Sequence, residues 1–229
     1  MIPRTLHQCW FGPAPIPERH RAWMDGVRAT MPGFAYRLWG NADLPDNRFV
    51  RECLAWKKYA LLSDWMRLRV LLDEGGFYLD TDVETFKSFE PLLSHPCVLG
   101  FSQCVLKKKP VSNAIMGAEP GHSFVRDCLA TFEKELNRRL KPPYGVKVGN
   151  QVLFARGLSL CGAQRLGDIE ILGKDVLFKE YACHHFEGSW HSKKDFKSEL
   201  RGLAYRSARA TVLLRGLATG KTMYPGPLP

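Results

Sequence analysis

Asp80 and Asp82 flank a single threonine in "EGGFYLDTDVE", residues 74–84, where an apolar run follows two glycines. Read as a continuing strand, alternation puts Tyr78, Asp80 and Asp82 on one face and Phe77, Leu79 and Val83 on the other. The two carboxylates would then sit roughly 7 Å apart at Cα, looking out at one place. Like charges held that close call for a cation or a ligand rich in hydrogen-bond donors. Asp64 and Arg67, three apart in the preceding helical stretch, share a face. Each pair also has a plainer reading: a solvated helix ion pair, and a charged strand end.

The elements that must position these residues follow an α/β pattern. Residues 1–12 read as a short buried strand that the prolines of "GPAPIPERH" bring to an end. A helix over 18–30 and a strand at "FAYRLWG" follow. Leu61, Leu62, Trp65, Leu68, Leu71 and Leu72 form a helical stripe, and Gly75 with Gly76 supplies its stop. The strand leading to the acidic pair starts there. Further on, "CVLGFSQ" reads as a strand, "KKKP" as a basic turn, "HSFVRDCLATFEKELNRRL" as a helix ended by "KPPYG", and "DIEILGKDVLF" and "EYACHHF" as short strands.

At 229 residues, 45% hydrophobic and 24% charged, the chain suits one sizeable core, and the expected layout is a catalytic domain over 1–192 with a tail over 193–229. Seven scattered cysteines without a C-x-x-C pair argue for reduced, mostly buried thiols rather than disulfides or a zinc knuckle. No apolar run is long enough to span a bilayer and the start lacks signal-peptide character, so a cytoplasmic setting is expected. The net charge of +10 implies an anionic partner: nucleic acid, a nucleotide diphosphate or an acidic membrane.

The 25 residues "ALLSDWMRLRVLLDEGGFYLDTDVE", Ala60 to Glu84, resemble the signature of glycosyltransferase family 32, the capsular-polysaccharide and yeast mannosyltransferase-like enzymes, and more distantly the glucosylating toxins. The signature reads A-x-x-S-D-x-x-R, an apolar stretch, then G-G-x-Y-x-D-x-D, and every fixed position is present. "IPRTLHQCWFG" is similar to the family's first strand, "SNAIMGAEPGHSF" to its mid-domain loop and helix start, and "CHHFEGSW" to its closing H-x-x-x-G-S-W element. Gly149 and Asn150 stand where the family often has Gly-Pro, a departure on the acceptor side.

This resemblance implies a GT-A-type α/β nucleotide-sugar fold with a mostly parallel central sheet flanked by helices, and a metal-dependent retaining hexosyltransferase acting from a nucleotide-diphosphate sugar, UDP-sugar favoured. It implies Mn2+ or Mg2+ on Asp82 with Asp80 as partner, completed by Ser189 and by His184 or His185, of which His184 fits the spacing to Gly188. It also places Trp10 on the nucleotide base, Asp64, Arg67 and Tyr78 at the donor, and Trp190 on a phosphate. The acceptor would be a saccharide or lipid-linked chain in surface polysaccharide synthesis.

Two rival readings have weaker support. A haloacid-dehalogenase-like phosphatase would use the first Asp as nucleophile, but its later elements cannot be assembled here. A nucleic-acid-binding module fits the charge but lacks a recognised motif. Between Lys193 and Lys221 eight basic residues accompany Phe196, Leu200, Leu203, Ala210, Leu214 and Leu217 at helical spacing. That tail is expected either to lie on an anionic membrane surface, making the protein peripheral on the inner face of the cytoplasmic membrane, or to pack its stripe on the catalytic domain.

Overall fold

The structure, a computed structural model, describes residues 1–102, 110–138, 142–160, 162–187 and 196–220, with side chains in the last segment described from Leu203 onward. The elements run β1 (Thr5–Cys9), α1 (Glu18–Thr30), β2 (Ala35–Trp39), α2 (Arg48–Ala55), α3 (Tyr59–Asp73), β3 (Gly76–Leu79), β4 (Val83–Thr85) and β5 (Cys97–Phe101). They continue with β6 (Val111–Ala118), α4 (Ser123–Arg138), α5 (Gly145–Ala155), β7 (Gln164–Leu166), β8 (Ile169–Leu172), β9 (Ala182–His184) and α6 (Phe196–Thr219).

One sheet has the order β2-β1-β3-β6-β5-β8-β7, and β4 pairs with β9 in a separate ribbon. β2, β1, β3, β5 and β8 run one way, while β6 and β7 oppose them, so the sheet is mixed but mostly parallel. Strand alternation sends Tyr78, Cys97 and Leu99 into the core beneath α3, α4 and α5, and Phe77, Leu79 and Val98 into the opposite core with Val27 of α1 and Met31 just after it. The α/β expectation holds.

The link from α3 to β3 shows why two glycines stand there. Gly75 and Gly76 take φ of 66° and 99°. A Cβ on Gly76 would lie 2.6 Å from the Thr5 carbonyl, so the chain can turn against β1 only without a side chain. His7 secures the same link: Trp39 donates to its Nδ1, which leaves Nε2 to donate to the Gly75 carbonyl at 2.8 Å.

Several expectations are corrected. In "SNAIMGAEPGHSF", read as a loop and helix start, the helix does begin at Ser123, but residues 112–118 belong to the central strand β6; α5 had no counterpart in the sequence reading. "DVLF" does not continue a strand: β8 ends at Leu172 and Val176–Tyr181 is π-helical. β3 stops at Leu79, and Asp80 to Asp82 lie in a turn closed by the Val83 amide donating to the Asp80 carbonyl at 3.1 Å. The same-face strand argument for the two acids therefore fails; the turn brings them together. Cys9, Cys53, Cys97 and Cys128 are buried free thiols, as expected, and Cys183 is half-buried; Cys104 and Cys161 lie outside the described residues.

α6 docks through Tyr205, Arg209, Val212 and Leu213. The Arg209 guanidinium donates to the Leu136 carbonyl in the last turn of α4, where an orphaned carbonyl and the negative helix end both favour a cation. Arg209→Ala should therefore lower stability by about 2 kcal/mol, since a hydrogen bond from a charged donor is lost and the buried carbonyl is left unmet. A urea unfolding midpoint equal to the parent's would remove Arg209 as an anchor.

Candidate functional site

The site forms where β3 ends. The Asp80 amide donates to the Ala114 carbonyl of β6 at 2.8 Å, and Gln8 of β1 donates to the Asp80 carbonyl at 3.2 Å, fixing the turn against both neighbouring strands. Between the acids, Thr81 Oγ1 meets Nδ1 of buried His20 at 3.0 Å. Every residue of the D-x-D triplet is thus held by a different element.

The β4–β9 ladder sets His184 opposite Val83, directly after Asp82. The extended chain continues one residue past β9, so that His184 and His185 turn to opposite sides. His184 Nε2 comes to 3.3 Å from Asp82 Oδ1. His185 turns away, contacting Glu84 at 2.9 Å and stacking on Trp23 with centroids 4.2 Å apart. The amides of His185 and Glu187 donate to the Asp82 carbonyl and Oδ2, both at 3.0 Å. One oxygen or nitrogen from each of Asp80, Asp82 and His184 falls within 4.8 Å of the others.

This donor set fits a divalent cation. Both ring nitrogens of His184 are buried; Nε2 faces Asp82 Oδ1 at 3.3 Å, and neither nitrogen makes a well-aligned hydrogen bond among the described residues, a state that a metal bond would relieve. Burial pushes the Asp82 carboxyl up, but His184 and the Glu187 amide outweigh it and hold the group below its ordinary range, ready as an anionic ligand. Asp80 stands above its ordinary value because burial exceeds the pull of Arg67.

Arg67 is the hub on the sheet side. Its guanidinium lies 3.0 Å from Asp80 Oδ1 and 3.2 Å from Asp64 Oδ1, donates to the Asn113 carbonyl at 2.5 Å and covers the Tyr78 ring at 4.5 Å. Burial alone would weaken its hold on the proton, but Asp80, Tyr78 and Asp64 keep it charged well above the usual range. The solvated reading of the Asp64–Arg67 pair is excluded, since Arg67 is 5% exposed. Asp64 Oδ1 also accepts from Asn113 Nδ2 at 3.2 Å and Oδ2 from the Gly145 amide at 2.8 Å, so it caps the start of α5 from 81 residues away. Its carboxylate is engaged on both oxygens by protein donors. A Cβ on Gly145 would reach 2.5 Å from Asp64.

Tyr78 donates to Asp80 Oδ1 at 3.1 Å and is buried. Trp10 is half-buried, with its indole N–H on the Ala14 carbonyl at 2.8 Å and its ring edge-on to His20, 5.5 Å away; it is not a core tryptophan. Ser189 and Trp190 lie outside the described residues. Gln8, His20, Asn113 and Gly145 were not singled out from the sequence; isolated polar residues in "TLHQC" and "VSNAIMGA" were the only trace of Gln8 and Asn113.

The family description "Glycosyltransferase sugar-binding region containing DXD motif" matches residues 17–99. An uncharacterized glycosyltransferase of Acanthamoeba polyphaga mimivirus is 31% identical over 134 residues, covering 53% of this chain and 52% of that protein. A mannosyl phosphorylinositol ceramide synthase of Saccharomyces cerevisiae is 30% identical over 146 residues, covering 58% of this chain and 35% of that protein. The chain therefore spans about half or less of the length of these relatives. The PaToxG glycosyltransferase shares the GT-A fold, with a TM-score of 0.57 at 18% identity over 67% of this chain and 68% of that one.

Arg67→Lys tests the hub. A lysine keeps the charge but cannot reach Asp64, Asp80 and the Asn113 carbonyl together, so stability should fall by about 2 kcal/mol in urea unfolding. An unchanged midpoint would mean that a point charge suffices there.

Proposed function

We propose that this chain, a GT32-like member of the DXD-containing glycosyltransferases, is a metal-dependent hexosyltransferase that moves a sugar from a nucleoside-diphosphate donor to a saccharide or lipid-linked acceptor with retention of configuration. The observation that carries the reading is the Asp80, Asp82 and His184 cluster, whose two acids lie inside the matched sugar-binding region and whose histidine is brought to them by the β4–β9 ribbon.

Asp82 and His184 would hold Mn2+ or Mg2+, with Asp80 alongside. When bound, such a cation supplies neutralisation of the negative charge that gathers on a departing diphosphate. Arg67 orients Asp80 and opposes the rise that burial imposes on its carboxyl. Asp64 keeps α5 and Asn113 in place beside the donor sugar, a positioning role that fits its saturated oxygens better than a direct contact with sugar hydroxyls. Trp10 offers a half-exposed ring for the base, where stacking contributes roughly 1–3 kcal/mol.

Retention through attack on the face the diphosphate leaves needs no protein nucleophile: the anomeric carbon–oxygen bond to phosphate breaks, the acceptor oxygen bonds, and its proton passes to the departing phosphate. The yeast relative's name joins mannose to a phosphorylinositol ceramide, so mannose and a lipid-bearing acceptor are the first donor sugar and acceptor class to try.

Hydrolysis of a panel of UDP and GDP hexoses, with and without Mn2+, tests the reading. One donor should be turned over only with metal, and Asp82→Asn should lower that rate by at least a hundredfold while the thermal melt is retained. Full turnover in excess chelator would sink metal dependence. Trp10→Ala should weaken calorimetric binding of the preferred nucleoside diphosphate about tenfold and leave Mn2+ affinity unchanged; equal nucleotide affinity would take Trp10 out of the site.

A further inference from the structure

α6 has two apolar faces, and the domain uses one of them. At 3.6 residues per turn each residue advances about 100° around the axis. Tyr205, Arg209, Val212 and Leu213 cluster on the inner side, all buried. Tyr205 lies beneath Lys58 and against Trp56, at 5.1 Å and 5.7 Å. Leu203, Ala210, Leu214 and Leu217 fall within about 60° of one another on a second face, centred roughly 120° round the axis from the docked one. The three leucines are 55%, 65% and 81% exposed. Exposed Arg206 and Arg215 flank that stripe on its two sides. The part of the expected stripe from Leu203 onward is thus not the surface that docks, and the side chains of Phe196 and Leu200 lie outside the described residues.

We propose that the outer face of α6 is a contact surface for an anionic lipid bilayer, with Leu203, Leu214 and Leu217 entering the interface and the flanking arginines on lipid phosphates. The inference is independent of the enzymatic reading. Charge complementarity selects this occupant. Lys193 to Lys221 carries eight basic residues, seven besides the inward-turned Arg209, against Asp195 and Glu199, in a chain of net charge +10. A second copy of the chain would bring arginines onto arginines and +10 against +10, whereas an anionic headgroup layer answers both the leucines and the cations. Nucleic acid would answer the cations and leave the leucines in water. No helix among the described residues is long and apolar enough to cross a membrane, so contact means lying in the interface.

Flotation of the full chain with vesicles of phosphatidylcholine, with and without phosphatidylglycerol, reads the contact directly. The protein should float with the anionic vesicles, bind at least tenfold less to the neutral ones, and lose binding as salt rises. Leu214→Glu with Leu217→Glu, both solvent-facing, should cut flotation at least tenfold with an unchanged thermal melt. Leu217→Ser, at the most exposed position, should lower it in the same direction with the least risk to folding. Arg206→Glu with Arg215→Glu should abolish the preference for anionic vesicles. Three results would overturn the proposal: no flotation of the parent, equal flotation of folded leucine variants, or a parent dimer in light scattering that the leucine variants convert to monomer without any vesicle binding. The thermal melt and Mn2+ binding are followed in parallel, so failure of the surface and failure of the metal site are told apart.

Discussion

A single buried guanidinium decides where the ends of several elements meet. Arg67 joins α3 to the turn after β3 through Asp80, to β6 through the Asn113 carbonyl and, by way of Asp64, to the first amide of α5. Burying one cation with two carboxylates is costly in desolvation, and the cost is offset only when each oxygen and N–H finds a partner. Here the partners come from four parts of the chain, so the arrangement forms only when all four are in register. Asn150 adds to this on the α5 side: its amide accepts from the Val111 N–H and donates to the Val111 carbonyl, replacing a strand neighbour at the start of β6. The departure from Gly-Pro at Gly149 and Asn150 thus has a structural use in this chain.

On the other side of the acidic turn the constraint is geometric. Phe186 takes φ of 54°, a conformation that a bulky side chain adopts only when its surroundings enforce it. The kink turns the Glu187 amide back onto Asp82, and Arg19 holds Glu187 from α1 at 2.7 Å. The exposed Phe186 ring covers His184, with centroids 4.0 Å apart. The strain therefore sits where the chain must double back to enclose a carboxylate, and it is met by two contacts with well-separated parts of the sequence.

How much of this could be read from the sequence depends on the range of the forces involved. α3, the glycine link and β3 were legible because helical period, a two-glycine stop and an apolar run are local signals. β6 was not, because "VSNAIMGA" carries Ser112 and Asn113 within an otherwise buried strand; Asn113 earns its place by bonding Asp64, and Ser112 by bonding the Ala114 amide. The acidic pair was found through the right residues and the wrong geometry: a turn, not strand alternation, brings Asp80 and Asp82 together. The spacing to Gly188 favoured His184 over His185, and the physical reason is the register of β4 against β9, a pairing across about a hundred residues that no local pattern encodes.

The position of α6 follows from the same network. Arg209 holds the end of α4, Glu133 of α4 accepts from Trp65 of α3 at 3.2 Å, and α3 carries Asp64 and Arg67. Val212 and Leu213 join the core that includes Trp65, Leu68 and Phe132. An outer face that met a lipid surface would consequently stand at a fixed attitude to the acidic turn instead of swinging on a tether. Removing the helix would also strip the core of two side chains and leave the α4 terminus uncapped, so a truncation would confound stability with surface binding. Substitutions confined to the exposed leucines separate the two, because those side chains contribute to neither the core nor the cap.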